Sequence, residues 1–271
     1  MDFDFSDDQL ALRDAVAKWV DKSYDFERRR KIVDGGGFDR GAYGELAELG
    51  LAGICISEDH GGMGMGPVEA MVVLEELGRA IVVEPLAQTF VVSAALGAHG
   101  SDAIKQTWLP RIASGEALVV LAHQERKARY HLEVCDAQAS ATGGGHAVTG
   151  LKHIVAAGDQ ADAWLVPAML GGKLALFLVE RGAQGVSTRG YLTQDGSRAA
   201  DAKRVMPDRR PATRASMSCW SGKQKRKNRR QHFGHVLSRR SLNGFRVTLT
   251  TVPAGRLPAE CFDKPPPRRL A

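Results

Sequence analysis

The sequence changes character after Asp201, and this change limits where a packed core can form. Residues 203–271 contain 18 lysines and arginines against three acidic residues, and seven of the eleven prolines. Only 12 of these 69 residues are Leu, Ile, Val or Phe, which is below the roughly 20% that a highly charged segment needs to form a core. The first 202 residues carry 19 basic and 28 acidic side chains. We therefore expect an acidic folded body and a disordered basic tail.

The first part of the body has the period of helices. Ser6 and Gln9 have the spacing of a capping box ahead of an apolar stripe. Asp39 is placed to cap a later helix, which Gly50 would end. Pro67 stands at the first position of a further helix. These signals predict a helical domain.

Beyond residue 116 the apolar period shortens towards two, as in strands. Glycine turns separate five short segments rich in apolar or β-branched residues, at 118–122, 146–156, 163–167, 173–179 and 185–191. This spacing is typical of a small antiparallel barrel or sandwich. The sequence thus predicts an α+β multidomain fold with a helical domain at 1–115, a β domain at 116–201 and a basic, low-order tail at 202–271.

Two patterns resemble ligand sites, and both have a simpler explanation. The glycine-rich run at 61–66 lacks the Lys-Ser/Thr ending of a phosphate-binding loop, and Glu58 and Asp59 precede it. We interpret this run as a surface loop. Cys219, His232 and His235 are too few to close a zinc site, so no metal is predicted.

Charge, hydropathy and cysteine spacing indicate which partners and which cellular compartment to expect. The basic run at 223–230 can attract nucleic acid but lacks interleaved aromatic residues, so no specific nucleic-acid partner is expected. The apolar stretches are too short for a membrane span, and the N-terminus is acidic rather than basic. The four cysteines form no C-x-x-C pair. We expect a cytoplasmic protein.

Three stretches occur in the order and spacing of one known family. They read LAELGL with EDHGG (46–51 and 58–62), VLEELGRA (73–80) and KQTWLPRIASGE (105–116). Together with the change from helices to strands, they resemble the acyl-CoA dehydrogenase family over residues 3–200. The stretches AHQERKARY (122–130) and RGYLTQDG (189–196) are most similar to the small subunit of pimeloyl-CoA dehydrogenase-type enzymes.

This resemblance implies an FAD-dependent enzyme that introduces an α,β double bond into an acyl-CoA thioester, here of the pimeloyl-CoA type. In that chemistry a carboxylate removes the α-proton, and the β-hydrogen leaves as hydride to the flavin. The implied partners are an acyl-CoA thioester, a large dehydrogenase subunit or a second copy of the chain, and an acceptor of the electron-transfer flavoprotein type.

The family's first flavin-contacting segment corresponds to residues 121–131. The resemblance implies that Leu121, His123 and Gln124 contact the cofactor, with Gln124 able to hydrogen-bond the flavin ring through its amide. Glu125 keeps the family's residue, and Tyr130 stands where the family has a serine and is implied to contact the substrate.

The second flavin-contacting segment corresponds to KHIVAAG at 152–158. Ile154 takes the place of the tryptophan that shields the flavin, and Ala156 the place of a threonine that donates to the flavin near N5. Both are cofactor-binding positions by resemblance, while Lys152 and Gly158 keep the family's residues.

The family's third part, a C-terminal four-helix bundle that supplies the catalytic glutamate, has no counterpart in residues 203–271, which lack helical periodicity. No catalytic base can be named. A frameshifted or decayed gene and a genuine basic extension both explain the tail. We expect a weakly active or inactive dehydrogenase chain, with a non-catalytic partner subunit as the alternative.

Overall fold

The computed structural model describes residues 4–128, 131, 134–142, 145–204 and 251–252. Its first part is helical, and short 3₁₀ turns at Leu51–Gly53 and Glu58–His60 connect the third helix to the fourth. The helices are α1 (Asp7–Ser23), α2 (Phe26–Asp34), α3 (Arg40–Glu48), α4 (Pro67–Arg79), α5 (Leu86–His99) and α6 (Asp102–Ala113).

The predicted helix boundaries are confirmed where a cap was identified. The Gln9 backbone N–H donates to Ser6 Oγ at 3.2 Å, and the Gln9 side chain accepts from the Ser6 N–H at 3.0 Å, which closes the capping box of α1. Asp39 Oδ1 accepts from the Gly41 N–H at the start of α3. Pro67 is the first residue of α4.

The second helix, α2, was not predicted. Asp25 caps it, because its carboxylate accepts the Arg28 N–H at 2.7 Å. Ile32 is its one buried residue, so the helix presents no apolar stripe from which the sequence could reveal it.

The glycine-rich run at 61–66 is a loop, as predicted, and it folds back on residues 53–57. Gly62 donates its N–H to the Ser57 carbonyl, and Gly64 donates to the Ile56 carbonyl at 2.7 Å. A Cβ atom on Gly62 would lie 2.2 Å from the Ile56 carbonyl oxygen, so only glycine allows this close approach.

The second part of the chain is a curled sheet that forms a half-barrel. Its strands are β1 (Val119–Leu121), β2 (Gln138–Thr142), β3 (Gly145–Ala156), β4 (Ala163–Leu170), β5 (Lys173–Glu180), β6 (Val186–Leu192), β7 (Arg198–Arg204) and β8 (Thr251–Val252). The strand order is β6-β7-β3-β2-β4-β5-β8, and β1 lies beside β4.

The helical and β parts agree with the predicted fold class, but the sheet is mixed and not purely antiparallel. Strand β4 runs parallel to β1 and β2, and β5 runs parallel to β8, while β2–β3, β3–β7, β4–β5 and β6–β7 are antiparallel. A period of two indicates strands but carries no information on the direction of their partners. Strands β2 and β7 were not predicted, because QASAT and RAADAKR contain no large apolar residue.

Strand β7 continues to Arg204, three residues past the boundary predicted at 201. Two residues of the predicted tail, Thr251 and Val252, pair with Leu178 and Val179 of β5. The remainder of the tail, and with it the prediction that the tail is disordered, lies outside the described residues.

The helical and β parts share their cores. Trp108, Leu109 and Ile112 of α6 pack in one buried cluster with Val119 of β1 and Leu165 of β4. A polar contact also links them, because Gly37, in the turn after α2, accepts the Arg198 N–H of β7 at 2.8 Å. The two parts are therefore joined through buried surface rather than by a free linker.

We predict that Gly37→Ala loosens this junction. Gly37 has a φ of +79°, and a Cβ atom there would lie 2.3 Å from the Gly196 carbonyl oxygen. Left-handed strain and the clash together should lower the free energy of unfolding by about 2–4 kcal/mol. Gly44→Ala in α3 is the matched control, since nothing lies within 4 Å of its added Cβ, and helix propensity favours alanine by up to about 1 kcal/mol. Equal urea midpoints for the two variants would contradict the prediction.

Candidate functional site

A cleft of about 300 Å³ opens where the segment after β1 meets the β3, β6 and β7 strands. It is lined by Gln124, Glu125, Arg126, His153, Ile154, Tyr191 and Asp201. The polar side chains from separate strands converge there, which is typical of a small-molecule site.

Two backbone contacts hold the segment after β1 in place. The Ala122 N–H donates to the Leu165 carbonyl of β4 at 2.9 Å, and the His153 N–H of β3 donates to the Gln124 carbonyl at 2.9 Å. The second contact brings Gln124 beside the centre of β3, 29 residues later in the chain.

A buried ion pair joins the same two segments at the cleft. Lys152 Nζ lies 2.5 Å from Glu125 Oε1, and both side chains are about 95% buried. Glu125 also accepts the backbone N–H groups of Asp136 at 2.5 Å and Ala137 at 3.1 Å. One carboxylate thus ties three pieces of chain together.

Burial acts to raise the pKa of Glu125, but the Lys152 ammonium and the two backbone N–H donors outweigh it, so the pKa is lowered overall. The carboxylate is therefore ionised at neutral pH. Because its oxygens are engaged by structural donors, Glu125 serves as a structural anchor and not as a proton-abstracting base.

Strand β3 carries a bulge at the cleft. Lys152 pairs with Ala202 and Val155 pairs with Ala200, so His153 and Ile154 together oppose Asp201 alone. Ile154 has a φ of +51°, a conformation that β-branched residues rarely adopt. Its side chain is 58% exposed.

The structure brings together two of the five predicted cofactor residues. Gln124 and Ile154 both line the cleft, whereas Leu121, His123 and Ala156 are not among its lining residues. Tyr130, the predicted substrate contact, lies outside the described residues.

Each of the other three residues has a different environment. The Leu121 N–H faces Gln88 Oε1 at 3.4 Å, and Ala156 pairs with Ala199 of β7. His123 Nδ1 is buried without a hydrogen-bond partner in the described part of the chain. Burial and then the Lys152 charge lower the pKa of His123.

Five lining residues were not among the predicted site residues: Glu125 and Arg126, which lie in the first family segment, and His153, Tyr191 and Asp201. Strand alternation puts Lys152, Ile154 and Ala156 on one face and His153 on the other, so no periodic signal favoured His153. The bulge changes this alternation. Tyr191 and Asp201 come from β6 and β7, and their proximity depends on a strand that the sequence did not reveal.

A second opening, the α4–α5 groove, lies in the helical domain. It has a volume of about 1050 Å³ and includes Met65, Ala70, Met71, Phe90 and Val91 among its lining residues. Met71 and Val91 are each about half exposed. In the described residues, no helix is long and apolar enough to cross a bilayer.

The helices and the sheet have counterparts in known proteins. Residues 6–116 match the family description "Acyl-CoA dehydrogenase, N-terminal domain", and the likeness to individual proteins continues through the sheet. The helical part of this chain is an acyl-CoA dehydrogenase N-terminal domain. The resemblance stated from the three sequence stretches is confirmed at the level of the family, whose members are FAD flavoproteins.

Individual dehydrogenases from different organisms are similar to the chain. Acyl-CoA dehydrogenase FadE27 of Mycobacterium tuberculosis is 31% identical over 179 residues, which are 62% of this chain and 47% of that protein. Mitochondrial isovaleryl-CoA dehydrogenase of Pongo abelii is 28% identical over 227 residues, covering 72% and 49%. The chain spans about half the length of the curated relatives it matches.

Solved structures agree. The ChsE4-ChsE5 complex from Mycobacterium tuberculosis includes a chain that is 29% identical, with a TM-score of 0.69 over 75% of this chain and 55% of that one. An acyl-CoA dehydrogenase from Geobacillus kaustophilus, 21% identical, has a TM-score of 0.69 over 76% and 57% and supports the fold alone.

The described residues fit part of an FAD molecule. The cleft volume is at the lower end of the roughly 300–1,000 Å³ of small-molecule sites, which suits a flavin ring and not the whole dinucleotide. The exposed Ile154 side chain offers an apolar contact, and Gln124 and His153 offer hydrogen-bonding groups. The described lining includes one arginine, Arg126, and no glycine-rich phosphate cradle.

Proposed function

We propose that the chain provides the helical and β domains of an acyl-CoA dehydrogenase flavoprotein and holds the flavin ring in the cleft. The observation that carries this proposal is the meeting of the two segments that resemble the family's flavin-contacting segments, 121–131 and 152–158. Their described residues are joined by the His153–Gln124 backbone bond and the Glu125–Lys152 ion pair. Both segments belong to the matched part of the family fold.

A flavin held in the cleft would supply the hydride acceptor for α,β-dehydrogenation of an acyl-CoA. Glu125 and Lys152 fix the two segments, Gln124 would offer its amide to the flavin, and Ile154 would offer an apolar contact. We propose a pimeloyl-CoA-type substrate on the basis of the stretches at 122–130 and 189–196, and an acceptor of the electron-transfer flavoprotein type. The proton-abstracting base lies outside the residues that we can assign.

The cleft is large enough for a flavin ring but not for the whole dinucleotide, and this predicts how it binds different flavins. If only the ring is held by the described residues, the full chain should bind FAD, FMN and riboflavin with affinities within about threefold of each other, because the phosphates and the adenosine add no contact. Flavin fluorescence titration measures this directly. FAD binding that is a hundredfold tighter than riboflavin binding would show that the ring is not the main contact, and no binding of any flavin would refute the proposal.

A second function is favoured by the α4–α5 groove, namely a non-catalytic partner in a hetero-oligomeric dehydrogenase. The groove exposes Met71 and Val91, and an apolar surface of this kind marks an interaction site. The name of the similar ChsE4-ChsE5 complex states that two different subunits assemble there. A homologous large subunit whose acyl-CoA oxidation requires this chain would support the second function. Flavin bound by the chain alone, with no effect on such a subunit, would favour the first.

The basic tail leads to a proposal about the gene that encodes the chain. Structural likeness covers about 75% of the chain, and the composition changes after Asp201. We propose that the encoding DNA past codon 200 continues the family sequence in another reading frame. Recovery of amphipathic bundle helices in one of the other two frames would support this, and their absence would favour a genuine extension.

A further inference from the structure

Asp201 is the centre of a hydrogen-bond network at the cleft that the proposed function does not yet use. Asp201 Oδ1 lies 3.0 Å from His153 Nδ1 and 3.3 Å from the Tyr191 hydroxyl. The Tyr191 hydroxyl in turn accepts the Ile154 backbone N–H at 3.1 Å. Two side chains from two neighbouring strands, Tyr191 of β6 and Asp201 of β7, therefore act on the two residues of the bulge.

The network fixes a backbone conformation that is unfavourable in itself. A non-glycine residue at positive φ costs of order 1–3 kcal/mol and persists where its surroundings hold it. Ile154 is mostly exposed, so burial of its side chain does not explain the conformation. The Tyr191 hydroxyl satisfies the Ile154 N–H, and Asp201 orients that hydroxyl. Bulges of this kind re-aim side chains next to functional sites.

The network also orients the imidazole of His153. Its Nδ1 faces Asp201 Oδ1 at 3.0 Å, and because a carboxylate oxygen accepts hydrogen bonds, this contact favours the tautomer with the proton on Nδ1. This leaves Nε2 as the ring nitrogen available to a molecule in the cleft, whose wall His153 helps to form. In neutral imidazole Nε2 accepts a hydrogen bond, and in imidazolium it donates one.

We propose that His153, positioned by Asp201 and Tyr191, hydrogen-bonds the heteroatom edge of the flavin ring. The inference rests on the proposed function and adds a residue to it. Ala156, at the position where the family has a threonine donor, has no hydroxyl, and it does not line the cleft. Of the two β3 residues that line the cleft, His153 is the polar one. Tyr191 and Asp201 are positioning residues.

The test is a flavin titration of the full chain and of matched variants, read by fluorescence and by the visible absorption spectrum. His153→Leu should weaken FAD binding about tenfold, the effect of one hydrogen bond, and should shift the flavin absorption maximum. His153→Gln should recover most of both. Tyr191→Phe and Asp201→Asn should shift binding and spectrum in the same direction by a smaller factor. His99→Leu, at an exposed histidine of α5, should change neither.

The outcomes separate the inference from the proposal on which it rests. If wild-type protein binds flavin and His153→Leu binds it equally well with an unchanged spectrum, the role of His153 is refuted and the cleft remains a flavin site. If His153→Leu does not fold, Tyr191→Phe decides in the same way. If wild-type protein binds no flavin at millimolar concentration, both ideas fail. Melting temperatures of all variants identify any loss that results from unfolding alone.

Discussion

Glu125→Ala should destabilise the chain by about 3–5 kcal/mol, which is a large part of the stability of an ordinary domain. The substitution leaves the Lys152 ammonium, about 96% buried, without its carboxylate. It also removes the acceptor for the Asp136 and Ala137 N–H groups. Urea unfolding followed by circular dichroism gives the free-energy difference.

Two further variants test whether the loss of stability comes from the buried ion pair. Glu116→Ala breaks the surface ion pair with Arg111, whose N–O distance is 2.7 Å, and should change the stability by less than about 1 kcal/mol. The double variant Glu125→Leu/Lys152→Met removes both charges and should recover part of the loss, since the two backbone N–H groups remain unpaired. Equal effects of Glu125→Ala and Glu116→Ala would contradict the structural role of Glu125.

The same pair gives a pH dependence with a defined sign. Because the pKa of Glu125 is lowered in the folded chain from the ordinary value near 4.5, the unfolded chain takes up the proton first on acidification. The contribution of Glu125 is complete above about pH 4.5 and is lost as the pH falls through the folded pKa. Relative to Glu125→Gln, the wild-type advantage should therefore shrink below pH 4.5 and stay constant between pH 6 and 8.

Ile154→Trp should tighten flavin binding about tenfold or more and quench the flavin fluorescence. The exposed side chain at this position lies in the cleft, and stacking of an aromatic side chain on a heteroaromatic ring contributes about 1–3 kcal/mol. Isoleucine is already β-branched at positive φ, so tryptophan adds little backbone strain.

Leu151→Trp is the matched control for the tryptophan variant. Leu151 lies on the same strand and is 42% exposed, but it does not line the cleft. It should leave the flavin affinity unchanged within about twofold. If both tryptophans tighten binding equally, the gain comes from a nonspecific aromatic surface and not from a ring held beside Ile154.

The elements that the sequence predicted are those with a strong local signal. The Ser6 and Gln9 box, the Asp39 cap and the glycine turns act over a few residues, and each leaves a recognisable spacing. Helix α2 and strands β2 and β7 have few large apolar residues, and α2 and β2 bury little surface themselves. Their presence follows from tertiary packing that no local pattern encodes.

The residues of the cleft also divide into those that a sequence motif reveals and those that depend on the fold. Gln124 and Ile154 were reached through the resemblance, because each has an equivalent in a family motif. His153, Tyr191 and Asp201 were not, because the bulge in β3 reverses the strand alternation that sequence reasoning assumes. The register of β3 against β7, with two residues opposite one, is visible only in the folded chain.

A crystal structure of the full chain soaked with FAD tests most directly whether the flavin binds in the cleft. We expect the isoalloxazine ring between Gln124 and Ile154, with one ring heteroatom within hydrogen-bond distance of His153 Nε2. An empty cleft at saturating flavin, or a flavin bound in the α4–α5 groove, would contradict the assignment of the flavin site.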